Sequence, residues 1–517
     1  MSLTPSPSNS IAPGAGLSPA PRAAPRMSSF TRLARWARRM MFLTHRWLGI
    51  VLALLMAIWA ISGITMMYVA FPDTTAEEKA AGLEPLDLSG CCDHVVLPGG
   101  VAIEAATVEM VDGHPALRWQ GSESAGLASL GETALPPIDA ATAGRIAAEH
   151  MSRAFVPSGR PTVEEIDRDQ WTVYGRFRQH QPLYKASFAD ERGTVLYVSG
   201  LTGQIIQDTS AHERFWNWIG AVPHWLYFTA LREIQPLWYN LVVYASALGV
   251  FLSVSGIYVG LIMWRKGKRW SPFRGIALWH HWTGLVFGVV TLTWVASGLF
   301  SMNPWGWFES DGPGEVIPNL AGRPLEAGDV EALYRALAAN PQTGAVSAEV
   351  SVQGGRPWAI LVRQDGSRER FSLPGLAPAP LDNNELTAKA RTAKPASRIA
   401  SAELITTPDN YHYAHKEERV VLPAYRVIYA NADATRLYFD PRTGELVNFV
   451  DASGRAYRWL HYGLHRLDFP VLRSRPIWDV VTLPLLVGVS LLCVLGAWMG
   501  VRRLRRPAAG VKRGASD

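Results

Sequence analysis

Three cysteines in 517 residues cannot build a disulfide framework. No Gly-x-Gly-x-x-Gly follows a strand-like run, and there is no phosphate-binding loop, so the chain brings no recognisable nucleotide domain of its own. His-Glu-x-x-His and Ser/His/Asp patterns are missing too, which removes the familiar metalloprotease and serine-hydrolase readings. Only 18% of residues are charged. The net charge of +6 sits mostly in three short basic clusters, which fits membrane topology and anionic-lipid contact and argues against a nucleic-acid partner.

What the chain has instead is hydrophobic length. Hydrophobic residues make up 48%, and four apolar runs reach the roughly 20 residues needed to cross a bilayer core: Trp47 to Phe71, Leu237 to Met263, His281 to Ser301 and Ile477 to Val501. Arg32, Arg35, Arg38, Arg39 and Arg46 precede the first run. Arg265, Lys266, Lys268, Arg269 and Arg274 fill the link between the second and third, and Arg502, Arg503, Arg505 and Arg506 follow the fourth. Basic residues in short loops stay cytoplasmic, so both termini are expected in the cytoplasm and the two long segments outside it, as in a multi-pass bacterial inner-membrane protein with periplasmic domains.

The resulting divisions are a Pro/Ser/Ala-rich disordered tail (1–30), the first helix with its basic flank (31–71), a periplasmic segment (72–236), the second helix (237–263), the basic link (264–280), the third helix (281–302), a second periplasmic segment (303–476), the fourth helix (477–501) and a basic tail (502–517). In the first periplasmic segment, Val101 to Val111 has strand-like alternation. A helix from Ile138, with Asp139 as a cap, leads to the strand-like runs WTVYGRF, LYKASFA and VLYVSG and a turn in LTGQII. The second segment repeats this plan: a helix over Asp329 to Ala339 with strands VSAEVSV, PWAILVR and RERFSL, then a helix near Asn384 to Ala393 with SAELITT, YRVIYA and RLYFD, closing in RTGELV. It reads as two copies of an α+β module where the first segment shows one. The expected fold is thus an α-helical membrane protein of four spanning helices carrying periplasmic α+β modules.

The halves also align. HRWLGIVLALLMAIWAISG (His45 to Gly63) overlies HHWTGLVFGVVTLTWVASG (His280 to Gly298), and LYVSGLTGQII overlies LYFDPRTGELV in a register that continues without a gap to Arg232 over Arg473. Both halves start in the cytoplasm, so the repeats are parallel about an axis near the membrane normal. Four histidines fall at equivalent positions, His45 with His280 on the cytoplasmic side and His224 with His465 on the exported side. An axis of this kind brings each pair face to face. Two imidazoles cannot complete a zinc site, but they fill the axial positions of a haem, and with both positions taken the expected role is electron transfer.

Gly49, Gly63, Gly284 and Gly298 thin the odd helices, for a macrocycle or for plain packing. Arg232 and Arg473 suit haem propionates or lipid headgroups. His281 and His461 lack histidine partners in the repeat, and either is an alternative ligand or a relay. The repeat favours His280 over His281. His412 and His415 read as part of a solvated loop, and Cys91-Cys92 as a vicinal disulfide or a soft metal site.

The segments SPFRGIALWHHWTGLVFGVVTLTWVASGLFSMNPW, WIGAVPHWLYFTALR and RWLHYGLHRLDFPVLRSRPIWD resemble the membrane parts of the PepSY-associated transmembrane proteins, and the modules closing in LTGQII and RTGELV resemble PepSY domains. The resemblance runs from about Phe42 to Val501. It implies two b haems held by His45, His280, His224 and His465, and reduction of a periplasmic ferric siderophore or ferric chelate with electrons from a quinol or a separate reductase. PepSY domains also serve as protease-restraining or chaperone-like modules. A non-enzymatic membrane protein that binds a periplasmic partner, or supports siderophore maturation or uptake, is the alternative.

Overall fold

The computed structural model describes residues 29–89, 91–92, 103–121, 124–130, 135–155, 159–265, 270–340, 344–414 and 419–505. The N-terminal tail up to residue 28, Asp93, His94, Lys266, Lys268, Arg269, His415 and the chain from Arg506 lie outside these.

Four helices are long and apolar enough to cross a membrane: Ser29–Met66, Gln235–Met263, Ile276–Ser301 and Ile477–Leu504. The first continues well before its apolar run, because Ala, Arg and Met favour helix and nothing breaks the segment from Ser29 to Arg46. The first and third helices each pack against both the second and the fourth. Their shared core holds Leu52, Met56, Leu252, Trp294, Leu486 and Val489, while Val51, Leu54, Phe251, Val286 and Val480 face outward. Apolar side chains on the outer surface of a bundle are what a hydrocarbon solvent requires.

The remaining described chain forms three antiparallel sheets. β1 (Ile103–Val111), β2 (His114–Gly121) and β3 (Ala125–Ser129) are followed by β4 (Thr162–Ile166), β5 (Leu183–Ser187), β6 (Val195–Ser199) and β7 (Ile205–Thr209). The second segment supplies β8 (Ser347–Gln353), β9 (Arg356–Val362), β10 (Arg368–Ser372), β11 (Ile399–Ile405), β12 (Ala424–Tyr429), β13 (Arg436–Phe439) and β14 (Leu446–Val450).

Two sheets are simple four-stranded meanders, β4 to β7 and β11 to β14. Each is covered by one helix whose start is chemically marked. Asp139 accepts the Thr142 N–H at the head of Ala140–Ala154, and Asp382 forms a capping box with Glu385 at the head of Asn383–Ala393. The first helix buries Ala143, Ala147 and Met151, four residues apart and therefore on one face, against Leu196 and Val198. The second buries Leu386, Ala390 and Ala393 against Val427, Leu437 and Phe439.

The third sheet departs from the expected plan. β8 to β10 do not make a module of their own. They join β1 to β3 in a six-stranded sheet of order β10-β9-β8-β1-β2-β3, with Thr107 opposite Glu349 and Val108 opposite Ala348. Two three-stranded meanders from different segments thus complete each other, and the helix Ala327–Ala339 covers the joint core with Leu333 and Leu337 fully buried. Each leucine buried in this joint core contributes ~1.5–3 kcal/mol.

WTVYGRF is a second departure. It forms turns and a short 3-10 helix (Gly175–His180), with Trp171 and Phe177 inserted into a side core beside Leu183 and Tyr197. The fourth strand of that sheet is β4, TVEEI, an edge strand that leaves its polar side chains in solvent and so lacks a hydrophobic signature. Cys91 and Cys92 are joined to one another, and Cys92 donates its N–H to Leu130 O at 2.8 Å.

The shared sheet generates a direct test. In a Thr107→Cys/Glu349→Cys double variant, a short bis-maleimide should cross-link the two long segments between spanning helices, read as a joined peptide by mass spectrometry. Separate peptides at full labelling would show that β1 and β8 are not neighbours.

Candidate functional site

An α-helical carbonyl points along the axis toward the N–H four residues later. When that later residue is glycine, the carbonyl is open from the side, and four half-buried imidazoles in this protein use such openings. His45 donates from Nδ1 to Leu252 O (3.3 Å), and Gly256 lies four residues on. His280 does the same to Leu492 O (3.3 Å), followed by Gly496. On the other side of the bundle His224 Nδ1 meets Trp59 O (3.0 Å) with Gly63 beyond it, and His465 Nδ1 meets Trp294 O (3.1 Å) with Gly298 beyond it. Ser62 Oγ and Ser297 Oγ each stand 3.1 Å from the same ring nitrogens.

The approach depends most on Gly256 and Gly496. A Cβ on Gly256 would come within 2.7 Å of His45 Cε1, and one on Gly496 within 3.2 Å of His280 Cε1. On Gly298 it would meet His465 Cε1 at 3.4 Å, and on Gly63 His224 Cε1 at 3.7 Å. Gly49 and Gly284 instead accommodate the side chains of Leu252 and Leu492. Gly256 and Gly496 are site residues that the repeat of the odd helices does not reveal. Their signal lies in the even helices, where LSVSG and LCVLG occupy matching places.

A carbonyl only accepts, so Nδ1 of each ring carries a proton, and in the neutral ring Nε2 keeps its lone pair. The four rings stand in two facing pairs: His45 and His280 with centroids 6.2 Å apart, His224 and His465 with centroids 6.1 Å apart. One metal ion bound through Nε2 on both sides, at about 2.0 Å from each nitrogen, sets ring centres roughly 6.4 Å apart. Both pairs meet that spacing. Among the described residues no group of three or more His, Cys, Asp or Glu could hold a metal ion, so the donor set here is a pair of neutral imidazoles at each end. From His45 to Ser62, and equally from His280 to Ser297, the helix advances about 26 Å, close to the thickness of a hydrocarbon core.

No family model and no curated protein matches this chain.

His224 and His465 are carried on short turns. Helix Ala221–Trp225 ends at Leu226 and helix Leu464–Arg466 at Leu467, both in the left-handed region (φ 53° and 51°). Leucine rarely adopts this conformation, and packing must hold it there. Trp59 Nε1 and Trp294 Nε1 are buried without a hydrogen-bond acceptor, as are Arg232 Nε and Arg473 Nη2. Arg232 stacks on Trp238 (4.4 Å), while Arg473 stacks on Tyr413 (3.9 Å) and donates to Asp468 Oδ1 (2.7 Å).

His281 differs from its neighbour. Its Nδ1 engages Ser271 Oγ and its Nε2 donates to Gly260 O, both at 2.9 Å, so neither nitrogen is left for a metal. His461 packs on His465 with ring centres 5.3 Å apart. His412 is not in a solvated loop. It is buried, stacked on Tyr438 at 4.7 Å, with Nε2 on Val421 O; an apolar-aromatic shelf inside the β11–β14 module outweighs the polar look of its surroundings in sequence.

A separate polar cluster lies in the segment between the first and second spanning helices. Burial and a hydrogen bond donated to Glu84 push the Glu149 carboxyl up to about 7, while burial beside Arg153 drops His150 to about 4. A carboxyl raised in the folded state keeps its proton where the unfolded chain has lost it, so stability falls as pH rises from about 4.5 to 7.

Two expectations follow. Gly256→Val should overpack the His45 seat and cost about 1–3 kcal/mol, lowering the midpoint of thermal unfolding in detergent, whereas Gly260→Ala, beside flexible Leu285, should be nearly silent. Glu149→Gln should raise the midpoint relative to wild type at pH 8 and leave it unchanged at pH 4.5. An equal gain at both pH values would contradict the raised carboxyl.

Proposed function

We propose that this chain is a membrane electron-transfer protein that holds two b-type haems, one between His45 and His280 and one between His224 and His465, and passes single electrons across the membrane to a periplasmic ferric chelate. The observation that carries this reading is the facing of two neutral imidazoles, with Nε2 free and Nδ1 committed to a carbonyl, at each end of the bundle. A haem held by such a histidine pair would supply a one-electron carrier.

The residues present fit such a group in other ways. The Nδ1–H to carbonyl bonds fix each ring's tautomer and aim, and they raise the basicity of Nε2. Arg232 Nε and Arg473 Nη2 are unsatisfied donors on the exported side, suited to propionates. Gly63 and Gly298 leave helix backbone exposed beside the exported rings. His281 is committed to structure and is left out of the ligand set.

The matched bonding of the two halves supports the reading of parallel repeats. The helix-covered four-stranded sheets that close in LTGQII and RTGELV support their likeness to PepSY modules. With the basic flanks cytoplasmic and the sheets outside, His45 and His280 form the entry site for electrons from a quinol or a separate reductase, in a bacterial inner membrane. His224 and His465 form the exit. Each ferric ion takes one electron and becomes ferrous, and the softer ferrous ion is held less tightly by hard oxygen donors, so reduction promotes release.

The visible spectrum tests this. The purified, folded protein should show a Soret band and sharp α and β bands on reduction, with two haems per chain. His224→Ala/His465→Ala should lose about half of the haem, and His281→Phe should keep both. A colourless folded protein would overturn the assignment.

A further inference from the structure

A cavity of about 360 Å³ opens in the last exported module, between the start of β12, strand β14 and the π-helical turn Arg458–Gly463. It has no counterpart in the site just described, and three observations bear on what it takes.

The first is charge. Arg419 and Arg458 line the cavity, and no Asp or Glu is among its described lining residues. Arg458 is 4% exposed. It donates from Nε to Asn410 O (2.9 Å) and from Nη2 to Asp468 O (2.7 Å), but Nη1 has no partner. The nearest carboxylate, Asp468, is already paired with Arg473 at 2.7 Å, so one negative charge serves two guanidinium groups. A buried donor with an uncompensated positive charge is costly unless an anion completes it.

The second is shape chemistry. Tyr411, Tyr413, Phe449 and Tyr462 contribute rings to the wall, with Val421 and Val447 beside them. Aromatic and aliphatic walls with a few placed cations suit a planar ring that carries negative charge.

The third is connection. The π-helical turn has a wider winding than an α-helix, and such turns recur at functional sites. Here one turn presents Arg458 to the cavity and His461 to the exported histidine pair. Tyr462 lies 4.9 Å from His461 between ring centres, and His461 lies 5.3 Å from His465.

We infer that this cavity binds a planar aromatic anion, of the phenolate or catechol-carboxylate class, and seats it on a wall that two ring contacts, Tyr462–His461 and His461–His465, connect to the exported histidine pair. Its role as the docking place of the electron acceptor rests on the electron-transfer reading; the binding itself does not.

The test is calorimetric titration of the full chain in detergent with 2,3-dihydroxybenzoate, with neutral catechol and cyclohexanecarboxylate as comparison ligands. The aromatic anion should bind one site, and each comparison ligand should bind at least roughly tenfold more weakly. Arg419→Glu, at a largely exposed position that leaves the fold alone, should weaken the anion roughly tenfold, and Arg458→Gln should abolish measurable binding. Equal binding of the three ligands, or unchanged affinity in Arg419→Glu, overturns the assignment. Repeating the titration with the gallium complex of the same ligand separates its two sources: tighter binding of the complex assigns the cavity to the metal-loaded chelate, and tighter binding of the free anion to the metal-free form. A colourless protein that still binds the anion refutes electron transfer alone, and a haem-loaded protein that does not bind it refutes this inference alone.

Discussion

The arrangement depends on one small interaction, an imidazole N–H donated sideways to a helical carbonyl that a glycine four residues later leaves open. It satisfies a polar ring inside an apolar bundle, where an unpaired donor costs several kcal/mol. The same bond decides the tautomer, because a carbonyl has no proton to give, and so determines which nitrogen is left with a lone pair. Repeated at Leu252, Leu492, Trp59 and Trp294, it ties each helix of the bundle to a histidine from another part of the chain. Side-chain bulk at Gly256 would crowd the His45 ring out of its place on Leu252 O.

Around this matched set the molecule is unequal. The six-stranded sheet takes three strands from each of the two long segments between spanning helices, so the two segments share one core. Arg118 donates to Thr202 O across one boundary of that sheet, and Arg368 bridges Glu349 and Glu445 across another. These contacts fasten the sheets to one another. The π-helical turn with Arg458 and His461 belongs to the second half alone, where the first half has Trp218 and Gly220 near the corresponding places.

Most elements were legible in the chain because local physics dictates them. Apolar length marked the four spanning helices, Asp139 and Asp382 marked helix starts, and alternation marked β5, β6, β8, β9 and β12. WTVYGRF misled because aromatic and β-branched residues pack a side core as readily as they fill a strand. TVEEI was missed because an edge strand exposed to solvent has no apolar period to read.

Residue identity and spacing alone determined the span count, the pairing of His45 with His280 and His224 with His465, and the two small modules; each follows from a period, a cap or an internal match. Tertiary structure decided what depends on long-range approach. It joined β1 to β8, buried His412 on Tyr438, and committed both nitrogens of His281 to Ser271 and Gly260 while leaving Nε2 of His280 free. Adjacent residues on a helix point about 100° apart, and only the helices packed on either side determine which of the two directions meets a carbonyl and which meets another histidine.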